Sequence, residues 1–431
     1  MTTPTGQESG TDNGIANPET ADRKPSGYRH RVRIRFGLIG IACLVVAIVA
    51  TGCAQPSSSD STDRTTSSTA TDDAHQGRGQ IVRTESGLDA WAAALPRGTR
   101  TSRITYRSTS GLDDTATTVT GAVFVPSGDR PSGGWPLIAY AHGTTGISRD
   151  CAPSDQPDMF GDLRAVRAFL DAGYAVVTTD YQGLGERTDE PAPHPYLEPR
   201  TAAYNVIDAV RAARSIEPTI GATWLAVGAS QGGAAAWSTA ESYASYGEGS
   251  GDLVGVVASA PLLDARYLVD GAQTKSLTVA QRYLYPLLVN GVAQVNPQIN
   301  PADYLHGIDP RDAAALASCA SGRTALARQP APPAASALVA PSAAADELTA
   351  VLGEYALPRV KTEVPILAIY GSEDQVIPAD VMEVTLQRGC ALGDRLVRVP
   401  REGQGHSLDP GPTMPTWMRD RVEGRPVESD C

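Results

Sequence analysis

Basic residues are in deficit in this chain of 431 residues: 36 Lys plus Arg face 48 Asp plus Glu, a formal net charge of −12. Such a surface repels phosphate backbones, so nucleic acid is disfavoured as a partner. The deficit deepens past the N-terminal segment. Residues 1–53 hold Arg23, Lys24, Arg29, Arg31, Arg33 and Arg35 against four acidic residues, which leaves about −14 for the rest. The chain also lacks a CxxC pair and any close Cys/His grouping, so no zinc or other metal site is expected. With 41% hydrophobic and 19% charged residues, the composition fits neither a wholly disordered chain nor a polytopic membrane protein. No internal repeat is apparent.

Charge is also missing from residues 36–52, and this gap follows the basic run Arg29-His30-Arg31-Val32-Arg33-Ile34-Arg35. A basic region, an apolar stretch and a small-residue end form a signal-peptide layout. The end reads Ala50-Thr51-Gly52-Cys53, which resembles a bacterial lipobox. In that motif the cysteine thiol takes a diacylglycerol and becomes the mature N-terminus, although Ala50 stands where leucine is usual. The competing reading is an uncleaved signal anchor, since about seventeen uncharged residues approach a membrane span. Either way the following domain is expected outside the cytoplasm, in a bacterial cell envelope, lipid-anchored on the outer face of the cytoplasmic membrane or secreted. Residues 54–85, rich in Ser, Thr and Asp, are expected to form a disordered tether.

Cysteine usage agrees with export. Apart from Cys43 in the apolar stretch and Cys53, the chain has Cys151, Cys319, Cys390 and Cys431. Four cysteines in an oxidising compartment suggest two disulfides, with three pairings open.

Two β-rich runs, residues 103–106 and 117–125, predict an opening hairpin. Short apolar runs then alternate with helical patterns: strands at 137–140, 174–179, 224–227 and 253–257, helices at 162–171, 201–215 and after Gly232. Such alternation specifies an α/β fold, a mostly parallel sheet with helices on both faces. It stops after residue 264 and resumes with a strand at 364–370. The interval is too long for a structureless connection and is read as a helical cap. The expected organisation is a signal segment 1–53, a tether 54–85, a first core part 86–264, a cap or lid 265–357 and a last core part 358–431. Within the cap, Tyr283, Leu284, Tyr285, Leu287 and Leu288 are either ordinary helix core or substrate contacts.

The chemistry is carried by Gly228-Ala229-Ser230-Gln231-Gly232, a G-x-S-x-G element between a strand and a helix. Its turn is so sharp that side chains two positions from the serine would collide, hence the glycines. The following helix directs its first amides toward developing negative charge. A serine hydroxyl needs a base, and the base needs an orienting carboxylate. Of six histidines, His30 and His75 precede the domain, His194 lies in a Pro-rich loop, His306 in the cap, and His142 in another motif. His406, in the loop Gly403-Gln404-Gly405-His406-Ser407 after the last strand, remains as the base. The acid is expected after the preceding strand, in Gly371-Ser372-Glu373-Asp374-Gln375-Val376-Ile377-Pro378. Asp374 is the choice, with Glu373 and Asp380 as alternatives that would leave it a turn or cap residue. The order Ser, Asp, His is that of an α/β-hydrolase. In Ala141-His142-Gly143-Thr144, the backbone N–H of Gly143 or Thr144 is expected to join that of Gln231 as an oxyanion site. His142 would then act through position and packing.

These residues resemble the secretory lipase family of fungal and actinobacterial capped α/β-hydrolases, over about residues 91–431. The likeness is carried by His142-Gly143-Thr144, Cys151-Ala152-Pro153-Ser154, Asp180-Tyr181-Gln182-Gly183-Leu184-Gly185, the helical run 203–214, Gly228 to Gly233, Gly371 to Pro378, His406 and Cys431. It implies a Ser230, Asp374, His406 triad, a helical cap between the last sheet strands, and disulfides pairing Cys151 with Cys319 and Cys390 with Cys431. Ala229 departs from relatives, which often carry His or Tyr beside the nucleophile, and the Ala/Pro-rich stretch 329–345 suggests a less ordered cap. The expected function is an extracytoplasmic serine ester hydrolase, a lipase or carboxylesterase akin to triacylglycerol lipases, working through an acyl-enzyme with no cofactor. Its partners would be an ester or lipid substrate and, through the anchor, the membrane. Acyl transfer or peptide hydrolysis on the same triad, or a non-catalytic lipid-binding lipoprotein, are the competing functions, and fold cannot decide among them.

Overall fold

The computed structural model describes residues 77–185, 192–319 and 330–431. The signal segment, Cys53 and most of the tether lie outside these residues. Nine strands form one sheet: β1 (Ile81–Ser86), β2 (Arg100–Thr109), β3 (Ala116–Val125), β4 (Trp135–Ala141), β5 (Ala175–Thr179), β6 (Ile220–Ala229), β7 (Asp252–Ser259), β8 (Ile366–Gly371) and β9 (Leu396–Arg401). Their order is β1-β2-β3-β5-β4-β6-β7-β8-β9. The expected hairpin is β2–β3, paired antiparallel in continuous register from Arg100↔Val125 to Thr109↔Ala116. β3 runs antiparallel to β5, and from β5 onward every neighbouring pair is parallel.

One boundary needs correction. The polar tether was expected to run to residue 85, whereas Ile81–Ser86 is a strand antiparallel to β2. Its side chains are mostly exposed, so the segment has no apolar signature of its own. Backbone pairing with the edge of β2 makes it a strand, and such pairing is invisible to local periodicity.

Parallel strands require crossovers, and the helices supply them. Among the described residues the helices are α1 (Asp89–Ala92), α2 (Leu163–Asp171), α3 (Pro199–Ile216), α4 (Gln231–Tyr246), α5 (Arg266–Thr274), α6 (Val279–Ala293), α7 (Pro310–Ala317), α8 (Ser342–Tyr355), α9 (Ala379–Leu392) and α10 (Thr413–Val422), of which α2 to α9 lie in the crossovers. Alternating side chains of the sheet feed two cores. Leu137 and Ala139 of β4 join Val206, Val210 and Ala236 from α3 and α4, while Ile138 and Tyr140 join Val166 and Leu170 of α2 and Trp417 of α10. This is an α/β-hydrolase architecture, with helices on both faces of a mostly parallel sheet. Fully buried Trp91, Trp224 and Trp237 anchor the two cores, each contributing stabilisation in proportion to the apolar area removed from water.

Between β7 and β8 the described residues form helices α5 to α8 and no strand. α6 opens with a capping box: Thr278 Oγ1 accepts from Gln281 N, and Gln281 Oε1 accepts from Thr278 N. Tyr285 and Leu288 of α6 are fully buried in the main core, as an ordinary helix face would be. No helix among the described residues is long and apolar enough to cross a membrane. Both cysteine pairs are closed, Cys151 with Cys319 and Cys390 with Cys431.

Candidate active site

Parallel strands end on the same edge of a sheet, and in open α/β sheets ligands bind outside the carboxyl ends of the strands. The loops leaving β4, β5, β6, β8 and β9 at that edge carry His142–Thr144, Asp180–Gly185, Ser230, Asp374 and His406.

Ser230 follows β6 directly and precedes α4, with φ 56° and ψ −119°. A non-glycine residue with positive φ stores strain, and here the flanking glycines make the turn possible. A Cβ on Gly228 would lie 2.1 Å from the Gly232 carbonyl oxygen, and one on Gly232 would lie 2.0 Å from that of Ala141. The turn is pinned from the next strand, because Ser230 N donates to Ser259 O at 2.9 Å and Leu262 N donates to Ser230 O at 3.1 Å. Gln231 begins α4, and the first N–H groups of a helix have no intrahelical acceptor.

The loops after β8 and β9 are pressed together. A Cβ on Gly371 would meet the Gln404 carbonyl oxygen at 2.2 Å, Glu373 N donates to that oxygen at 2.9 Å, and Gly403 N donates to Ser372 Oγ at 2.9 Å. This contact brings His406 Nδ1 to 2.8 Å from Asp374 Oδ2. A ring nitrogen facing a carboxylate carries the proton, so Nε2 is left with its lone pair. Asp374 is buried, and its other oxygen accepts from Val376 N at 2.7 Å and Ile377 N at 3.0 Å. Asp374 therefore accepts from its own turn and faces the His406 ring at the same time. Glu373 and Asp380, the alternatives, are both exposed, and Asp380 Oδ1 accepts from Val381 N at 2.9 Å.

Gly143 lies beside the elbow: a Cβ there would sit 3.5 Å from the Ala229 carbonyl oxygen and 3.9 Å from Ser230 Cβ. His142 is buried, with Nδ1 2.6 Å from the Gly143 carbonyl oxygen and Nε2 3.3 Å from that of Asp180. Its ring thus fastens this loop to the loop after β5. Thr144 Oγ1 is 2.8 Å from the Tyr196 hydroxyl. Asp180, fully buried, accepts from Thr120 Oγ1 at 2.6 Å, from Ser154 N at 2.9 Å and from Ser154 Oγ, tying the Cys151–Ser154 segment to the sheet.

His194, set aside in the sequence as a loop histidine, is buried at this site. Its Nδ1 donates to Gln182 O at 2.8 Å, and its Nε2 lies 3.4 Å from Gln231 Nε2. Burial pushes its pKa down from 6.5 to about 4. Nothing in the Pro-rich sequence around His194 signals this; only the closing of the loop over α4 creates it. A cavity lies beside Gln231, walled by Ala234, Leu262, Leu263, Leu352 and Leu357, with Gln182, His194 and Glu198 among its polar members.

The fold has solved counterparts. A rice cell wall degrading esterase, LipA, from Xanthomonas oryzae aligns with TM-score 0.64 and 20% identity, covering 80% of this chain and 99% of that one. Candida antarctica lipase A in its closed state aligns with TM-score 0.62 and 16% identity, covering 82% of this chain and 84% of its own. A hydrolase from Legionella pneumophila described as putative aligns with TM-score 0.61 and 17% identity, covering 80% and 96%. No curated protein sequence matches the chain. The secretory lipase family model matches residues 158–319, a span that includes the Ser230 elbow and the first cap helices and ends before Asp374 and His406. Over those residues the chain is similar to the secretory lipase family, and the capped α/β-hydrolase fold around them agrees with that likeness.

Proposed function

We propose that this carboxylic ester hydrolase works through Ser230, His406 and Asp374 by way of an acyl-enzyme. Ser230 Oγ attacks the ester carbonyl while His406 Nε2 takes its proton, and Asp374 holds the imidazole in the required tautomer and stabilises its cation. The tetrahedral oxyanion is met by the backbone N–H of Gln231 and by one from Gly143 or Thr144. Collapse expels the alcohol, which takes the proton from His406. Water, deprotonated by the same nitrogen, then attacks the acyl-enzyme and frees the acid and Ser230. The observation that carries this reading is the 2.8 Å Asp374–His406 hydrogen bond at the sheet edge where the strained Ser230 elbow also lies. The likeness to secretory lipases over residues 158–319 supports a lipid ester such as an acylglycerol as substrate.

The test is hydrolysis of p-nitrophenyl esters from acetate to palmitate by residues 77–431. Ser230→Ala is expected to abolish turnover, and Asp374→Asn to lower kcat by roughly 10³–10⁴-fold at nearly constant KM. Serine-independent hydrolysis would sink the reading, and the chain-length profile separates lipase from short-chain esterase.

The two disulfides fit an exported protein. Residues 29–53 are proposed to direct that export, with Cys53 acylated and the enzyme held on the outer face of the cytoplasmic membrane. Cells expressing the full chain with a clickable fatty acid should label it, and Cys53→Ser should remove the label. Equal labelling of the variant would refute the anchor.

A further inference from the structure

The two sides of the proposed oxyanion site are both contacted by one turn. Tyr196, fully buried, places its hydroxyl 2.8 Å from Thr144 Oγ1. Two residues earlier, His194 Nε2 lies 3.4 Å from Gln231 Nε2. Because His194 Nδ1–H donates to the Gln182 carbonyl at 2.8 Å, Nε2 of the neutral ring is an acceptor and the Gln231 amide is its donor. Tyr196 N donates to His194 O at 2.9 Å, closing the turn on itself.

The cap fixes this turn from above. Gln294, at the C-terminal end of α6, accepts from His194 N at 2.9 Å through Oε1 and donates to the Ile147 carbonyl at 3.0 Å through Nε2. One cap side chain therefore bridges the His194 turn and the loop carrying Gly143 and Thr144. The approach is close enough to require glycines: a Cβ on Gly291 of α6 would lie 2.7 Å from Tyr196 Cβ, and one on Gly183 would lie 2.5 Å from His194 N.

We propose that His194 and Tyr196 are positioning residues of the oxyanion site, Tyr196 setting the Thr144 side and His194 the Gln231 side, with Gln294 making their placement depend on the seated cap. The proposal rests on the oxyanion reading above. A preorganised donor acts only on charge that develops in the transition state, so misplacing it lowers kcat and leaves ground-state binding alone.

The experiment uses Tyr196→Phe, which removes one hydroxyl and keeps the ring, beside Thr144→Val, the double variant and Ser230→Ala. Steady-state kinetics, affinity for an alkyl boronic acid as tetrahedral mimic, and thermal unfolding are measured for each. Expected are a fall in kcat of about tenfold for Tyr196→Phe at KM within about twofold, a matching loss of boronate affinity, and an unchanged Tm. The double variant should be no worse than the more damaging single one, because the two hydroxyls act as a unit. His194→Gln, which keeps an acceptor toward Gln231, should retain more kcat than His194→Ala. If Tyr196→Phe keeps wild-type kcat while Ser230→Ala is inactive, the positioning role is overturned and the hydrolase reading stands. A loss of kcat that comes with a lowered Tm and unchanged boronate affinity also overturns it, as a packing effect. Full activity in Ser230→Ala overturns both.

Discussion

Asp374 divides its two oxygens between backbone amides of its own turn and the ring of His406, so its own turn fixes the carboxylate that faces the ring. His194 shows the opposite economy of signal: nothing in its local sequence marks it, yet burial holds it neutral. The groups around it are the Gln182 carbonyl, the Gln231 amide, the rings of Tyr181 and Tyr196, His142, and Glu198 in the same cavity. Its folded pKa of about 4 lies below the ordinary 6.5. As pH falls through 6.5 the unfolded chain takes up the proton first, so stability is lost progressively down to about 4 and no further below that. The loss attributable to this ring is on the order of 3 kcal/mol. Urea unfolding of wild type and His194→Gln between these pH values checks it: the variant should show the shallower decline. Parallel declines would show that another group controls the acid limb.

At the scale of elements, the decisive unit is the β6–Ser230–α4 turn. Its motif was readable because glycine at 228 and 232 is a steric requirement, and the backbone distances state why. Gly228→Ala would place a methyl 2.1 Å from the Gly232 carbonyl oxygen. Overpacking of this kind costs at least about 1–3 kcal/mol, and relief would come from opening the turn. Expected are a lowered Tm and greatly slowed labelling of Ser230 by a fluorophosphonate. Labelling at the wild-type rate would show that the turn tolerates a side chain. β1 marks the converse. Its exposed residues have no periodicity to read, and only the free edge of β2 makes them a strand.

For the molecule as a whole, the Cys151–Cys319 bridge joins the segment after the β4 loop to the chain just past α7 across a sequence separation of 168. Cross-linking so long a loop restricts the unfolded chain strongly. Replacing both cysteines by serine should cost about 2–5 kcal/mol and lower Tm by several degrees, measured by calorimetry. An unchanged Tm would mean that packing of the cap on the sheet, and not the bridge, sets its stability.

The sequence by itself determined the alternation of strands and helices, the G-x-S-x-G turn, and the placing of Asp374 and His406 after successive strands. Periodicity and steric necessity are local and leave a mark at every occurrence. Which of Glu373, Asp374 and Asp380 meets His406 was decided only by the packing of the β8 and β9 loops, a contact between segments far apart in the chain. The burial of His194 against Gln231, and the cap residue Gln294 bridging two loops, were likewise decided by tertiary structure. A hydrogen bond between distant loops leaves no pattern in either segment, because its energy depends on a distance that exists only once the sheet has formed.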